Sequence, residues 1–290
     1  MHDAAPTLFG PGNSRTAGRP GTRLTANSAL KFAARFWFAV AVTGQWIFVS
    51  YIALFYGGLA FQGRIQEWNT VLPHGYEPGN TVGNVFLGAH LLLAIIITVG
   101  GPLQFVRRLR SYAPVFHRWN GRVYLLTVFA ISIDGLYLGL SGRKVVGGVF
   151  QQIPLVISAF LIMIFAVLAF RYALARDFGT HRRWALRLFM VVNGVWFFRV
   201  GLMFWILING APVGFDPETF TGPFLNILAV SVYFLPLVIL EIYFHARDEY
   251  EKAGQFAVAI GLSVLTVAMG IGIFGAAAGM WLPRAGLVFS

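Results

Sequence analysis

Long apolar runs alternate with short polar links along the whole chain. The runs fall at roughly 33–58, 82–106, 117–140, 148–174, 182–209, 223–246 and 255–282. Each reaches the roughly 20 residues that a helix needs to cross about 30 Å of hydrocarbon. They are continuous rather than alternating, which excludes a transmembrane barrel built from segments of about ten alternating residues. Backbone inside a bilayer must satisfy its own hydrogen bonds, and a helix does so within one segment. The pattern therefore predicts an all-α integral membrane protein with seven transmembrane helices and a four-helix core from spans two to five. Residues 1–30 are rich in Gly, Pro, Ser, Thr and Ala, with Arg15, Arg19 and Arg23 scattered among them. They read as a disordered basic cytoplasmic tail, followed by a single transmembrane domain over 31–290. The first apolar run starts too late and runs too long for a cleaved signal peptide.

Composition sharpens this picture. Hydrophobic residues make up 57% of the 290 and charged residues only 11%, against about 25% charged in a soluble domain. The mean hydropathy is +0.70. The net charge of +11 does not imply nucleic acid, because the basic residues sit between apolar runs and act as topology signals. One set of links and span ends holds seventeen Lys and Arg, including Lys31, Arg35, Arg107, Arg108, Arg110, Arg118, Arg122, Arg171, Arg176, Arg182, Arg183 and Arg187. The opposite set holds four: Arg64, Arg143, Lys144 and Arg284. The remaining one, Arg199, lies inside a span. The N-terminus is then cytoplasmic and the C-terminus outside. There is no cysteine, hence no disulfide and no thiolate metal site, and no metal is expected. No GxSxG, HExxH or Walker sequence occurs; whether the protein is an enzyme stays open.

The link after span two carries the richest motif. Gly100-Gly101-Pro102 is expected to break or kink the helix, with freed carbonyls satisfied by neighbours. His117-Arg118-Trp119 opens span three, and His181-Arg182-Arg183-Trp184 opens span five in a similar way. With one gap the two stretches align, so spans 2–3 and 4–5 read as two related hairpins. Gly88-x-His90, Gly101-Pro102-Leu103-Gln104-Phe105, His117-Arg118-x-x-Gly121-Arg122-x-Tyr124 and Asp177-Phe178-x-x-His181-Arg182-Arg183-Trp184 together resemble a family of bacterial predicted membrane proteins catalogued as a domain of unknown function. The resemblance covers roughly 80–210 and implies a multi-pass protein of the inner membrane, without an activity. More loosely, histidines on alternate helices of a four-helix core are similar to transmembrane cytochromes b. The chain departs from their pattern, because span four has no histidine.

Two groups of residues can carry chemistry. His117 and His181 stand at the same ends of spans three and five, where facing imidazoles can ligate one haem b. Arg118, Arg122, Arg182, Arg183 and Arg187 would then pair with its propionates. The same residues also suit a quinone, an anionic lipid headgroup, or plain interfacial anchoring. The second group is His90, Asp134 and Arg199, three ionisable residues at similar depth on three core helices. Such residues usually face one another inside a bundle. An Asp134–Arg199 pair with His90 beside it is the expected geometry, serving as a substrate, proton or quinone site or as a clasp between helices. Gln45 and Asn193 are expected to hydrogen-bond into the core, and Glu241 to neutralise an inner arginine. Gln151 and Gln152 are poor ligands. No broken half-helices are evident, which speaks mildly against a transporter. Span seven carries VAMGIGIFGAAAGM, a face of small residues for close packing within the chain or in a homodimer.

Overall fold

The computed structural model describes residues 25–72, 74–140, 148–286 and 288. The expected tail, residues 1–24, lies outside them. Among the described residues, six helices are long and apolar enough to cross a membrane: Ala26–Phe61, Thr81–Leu103, Pro114–Leu140, Gly148–Leu174, Pro223–Asp248 and Lys252–Gly286. Phe178–Val192 and Gly194–Asn209, bent by 53°, pass the same test together. With that pair as span five, the spans number one to seven. No strand occurs among the described residues, only an isolated bridge between Asp216 and Thr221. Span one starts earlier than its apolar run, because Thr25 caps it: its hydroxyl oxygen accepts the Ser28 N–H at 3.3 Å, satisfying one orphan donor of the first turn. Lys31 stays exposed on that added stretch, and Arg35 just beyond it. The face bearing the 2–3, 4–5 and 6–7 links is called the basic face below, and the opposite one the far face.

Two of the buried clusters, or cores, position the site. Near the basic face Ile97 of span two, Tyr124 and Val128 of span three, Ala166 of span four and Leu188 of span five form one buried cluster. Spans two to five thus meet as the four-helix core. The larger cluster joins spans one, five and seven through Phe48, Tyr51, Trp196, Val200, Ile273 and Trp281. Trp68 in the 59–81 link is buried against it, and its Nε1–H donates to Tyr56 O at 3.1 Å.

Span five belongs to both cores because it breaks. Asn193 sits at φ −85°, ψ 7°, the sparsely allowed bridge region. Its Nδ2 donates to Phe189 O at 2.7 Å, and its Oδ1 accepts from Gln45 Nε2 at 2.9 Å. A side chain that bonds the carbonyl one turn back competes with the helix ladder and bends it. The next residue must be glycine: a Cβ on Gly194 would lie 2.0 Å from Tyr233 Cε1. Before the break span five packs on spans four and six; after it, mainly on spans seven and six.

Other expectations take definite form. Gly100-Gly101-Pro102 ends span two rather than kinking it, and Asn120 Nδ2 donates to Gly100 O at 3.0 Å. Two small residues of span seven, Gly272 and Gly275, pack within the chain. A Cβ on Gly272 would meet Val200 O at 2.3 Å, and one on Gly275 would meet Leu207 Cδ1 at 2.5 Å. These two glycines are covered by span five, whereas Ala278 and Gly279 of the same stretch stay exposed. Two π-helical turns, Ile52–Gly57 in span one and Ala277–Trp281 in span seven, occur in the far-face half.

Candidate functional site

His90 lies nine residues inside span two from its far end, about 13 Å at 1.5 Å per residue. Asp134 lies six residues inside span three from the same face. The two spans pack side by side, and His90 Nδ1 is 2.6 Å from Asp134 Oδ2. With the carboxylate ionised, the imidazole N–H is the donor. The carboxylate is buried, with its side chain 6% exposed, whereas the His90 side chain is 33% exposed. Asp134 Oδ1 is buried without a hydrogen-bond partner. The nearby hydroxyls do not serve it, since Thr127 and Ser132 donate to Val123 O and Val128 O on their own helix, both at 2.8 Å. One turn nearer the far face, the Phe86 and Tyr137 rings meet at 4.2 Å between centroids and cover the pair on that side.

Arg199 does not join them. Its Nη1 donates to Val195 O at 3.1 Å, and its guanidinium carbon stands 5.3 Å from the centroid of Phe48 on span one. Depth along the helices put Arg199 level with Asp134, but the 53° bend carries it out of the four-helix core. The expected Asp134–Arg199 pair is replaced by the His90–Asp134 pair.

At the basic face His117 and His181 stand in the first turns of spans three and five. His181 Nδ1 lies 2.8 Å from Ala169 O of span four, which sets Nδ1–H as donor and leaves Nε2 with its lone pair. His117 Nδ1 is buried without a partner. The arginines divide. Arg187 forms a fork with Glu241, at 2.7 and 2.9 Å, so Glu241 does neutralise an inner arginine. Arg183 pairs with Asp248 and lies over Phe244 at 4.9 Å. Arg122 rests over Trp119 at 5.0 Å. Arg118 and Arg182 are exposed and without an ion pair among the described residues. Asp177 caps span five, accepting the Thr180 N–H at 3.1 Å. Hydrogen bonding to Thr180 holds its carboxyl below the usual carboxylate range.

Gln104 Nε2 reaches His117 O at 3.5 Å, and Gly101 lies against Tyr124 and Phe189. Residues 87–242, more than half of the chain, match the family described as Predicted membrane protein (DUF2306). The chain belongs to that family. No curated protein and no solved structure matches it. The family region runs further than the motifs suggested, into span six, and so contains Glu241 as well as His90, Asp134, His117, His181 and Arg199. The break at Asn193 is the feature that reading of the residues missed. Its signal is the Asn-Gly dipeptide inside an apolar run, a combination that ordinarily marks a turn.

Proposed function

We propose that this membrane protein is a transporter of the bacterial inner membrane whose His90–Asp134 pair binds the proton that accompanies its solute. The 2.6 Å contact between a buried carboxylate and a half-buried imidazole carries the reading. An ionised carboxylate in hydrocarbon is costly and marks proton pathways. Imidazole is the side chain suited to relay a proton near neutral pH. A proton taken up at His90 Nε2 allows the Nδ1 proton to pass to Asp134 Oδ2; the carboxyl is then neutral and the imidazole is restored. The break in span five supports the reading, because transporters place discontinuous helices near the bilayer midplane. The basic face is cytoplasmic in this proposal, so the pair lies towards the outside. The test is infrared difference spectroscopy of the purified protein on acidification. A carboxylic C=O band is expected that Asp134→Asn removes and His90→Gln shifts. No Asp134-dependent band across the pH range where the protein stays folded would sink the proposal.

A second reading rests on His181. Its Nδ1 contact with Ala169 O leaves Nε2 oriented as metal-ligating histidines require. A haem b held there by His117 and His181 would supply one-electron chemistry, and Arg118 and Arg182 remain for its acidic groups. The fit is met at His181 but not at His117, whose Nδ1 lacks the corresponding partner. A quinone or anionic lipid headgroup needs only the two exposed arginines and one imidazole. An absorbance spectrum of protein purified in detergent decides the haem version. A Soret band lost in His181→Ala supports it; protein that stays colourless after haem reconstitution refutes it.

A further inference from the structure

We propose that a small carboxylate or phosphate anion binds on Arg199, in the far-face half, between spans one, five and seven. The neighbourhood is rich in donors and poor in acceptors. Of the five N–H donors on the guanidinium, one bonds Val195 O. Neither Arg199 nor Arg284 has a carboxylate within ion-pair distance among the described residues. Trp196 Nε1 and Trp281 Nε1 are buried without hydrogen-bond partners, and the buried Tyr51 hydroxyl has none within 3.5 Å, its near polar neighbour being the Tyr56 hydroxyl. These groups are contiguous: Arg199 sits on the Phe48 ring, which lies 5.1 Å from Trp281 and 6.3 Å from Tyr51. Arg199 and Arg284 are both within electrostatic reach of Tyr51 and Tyr56. The orphan acceptor Gln45 Oε1 lies about a turn deeper, beside Asn193.

The backbone is unusual at the same place. Tyr51 immediately precedes the π-helical turn of span one, and Trp281 closes that of span seven. Single π-helical turns inside α-helices recur at functional sites. An anion supplies what this region lacks, a negative charge for the guanidinium and an acceptor for the hydroxyl and indole donors. Arg284, near the far end of span seven, adds its positive charge to the same region. The anion can be a free solute or the headgroup of an acidic lipid. The site uses neither His90 nor Asp134, so it stands or falls independently of the proton pair.

The test uses the full chain in nanodiscs of phosphatidylcholine, with its thermal midpoint followed against acetate and against inorganic phosphate at constant ionic strength. A saturable rise is expected with at least one anion. The half-saturating concentration should rise about tenfold in Arg199→Gln, the loss of about one charge-assisted hydrogen bond, and stay unchanged in Lys252→Gln. Arg199→Lys and Tyr51→Phe, milder changes that keep charge and ring respectively, should each weaken it by a smaller factor. A rise produced by phosphatidylglycerol in the wild type but not in Arg199→Gln, with the free anions ineffective, makes the headgroup the source. The proposal is overturned if neither the anions nor the acidic lipid raise the midpoint. It is equally overturned if the folded variants, Arg199→Lys and Tyr51→Phe included, respond as the wild type does.

Discussion

Asp134 shows how one buried residue organises its surroundings. A carboxylate in hydrocarbon needs a partner, and two were available at the same depth on neighbouring spans. The imidazole of His90 takes it because span two packs directly on span three, while Arg199 turns away to the face of Phe48. Gly194 shows the same economy with a hydrogen in place of a side chain. Its missing Cβ is the space that Tyr233 occupies. Gly194→Ala is therefore expected to destabilise the protein by about 1–3 kcal/mol, the usual cost of overpacking. The comparison of thermal midpoints in one detergent measures it, and a midpoint equal to the wild type would show that Tyr233 moves aside freely.

At the scale of the element, span five is the decisive one. Its two halves share a single apolar run, and the break between them comes from Asn193 bonding backward to Phe189 O and sideways to Gln45. Asn193→Leu removes both bonds while keeping the apolar character of the run. We expect the helix to straighten. Spin labels on Arg182→Cys and Ile208→Cys then move apart by about 4 Å, from two arms rising 1.5 Å per residue across the 53° bend. The absence of native cysteine makes the labelling specific. An unchanged distance distribution would place the cause of the bend in packing against spans six and seven instead.

For the whole molecule the question is orientation. Seventeen basic residues against four predict that the basic face is cytoplasmic. Ser111 in the 2–3 link and Glu218 in the 5–6 link are both exposed, on opposite faces. With cysteine placed at either position, a membrane-impermeant maleimide should label intact cells at 218 and not at 111. The reverse labelling would invert the topology and put the His90–Asp134 pair in the cytoplasmic half, changing the side from which the proposed proton arrives.

The apolar runs by themselves determined the class of fold and its six or seven apolar spans, because a bilayer core tolerates only backbone that satisfies itself. The helix Gly148–Leu174 coincides with its apolar run, whereas a cap carries the first helix beyond its run, to Ala26. The pairing of Glu241 with an inner arginine was also legible, since it needs only a neighbour on the adjacent span. What the tertiary structure alone decided is which polar residues meet. Depth follows from counting along a helix, but direction follows from the bend at Asn193, where side-chain hydrogen bonds to Phe189 and Gln45 outweigh the continuity of an apolar run. That bend separates Arg199 from Asp134, leaves His90 as the partner of the carboxylate, and brings Arg199 beside the unpaired donors of spans one and seven.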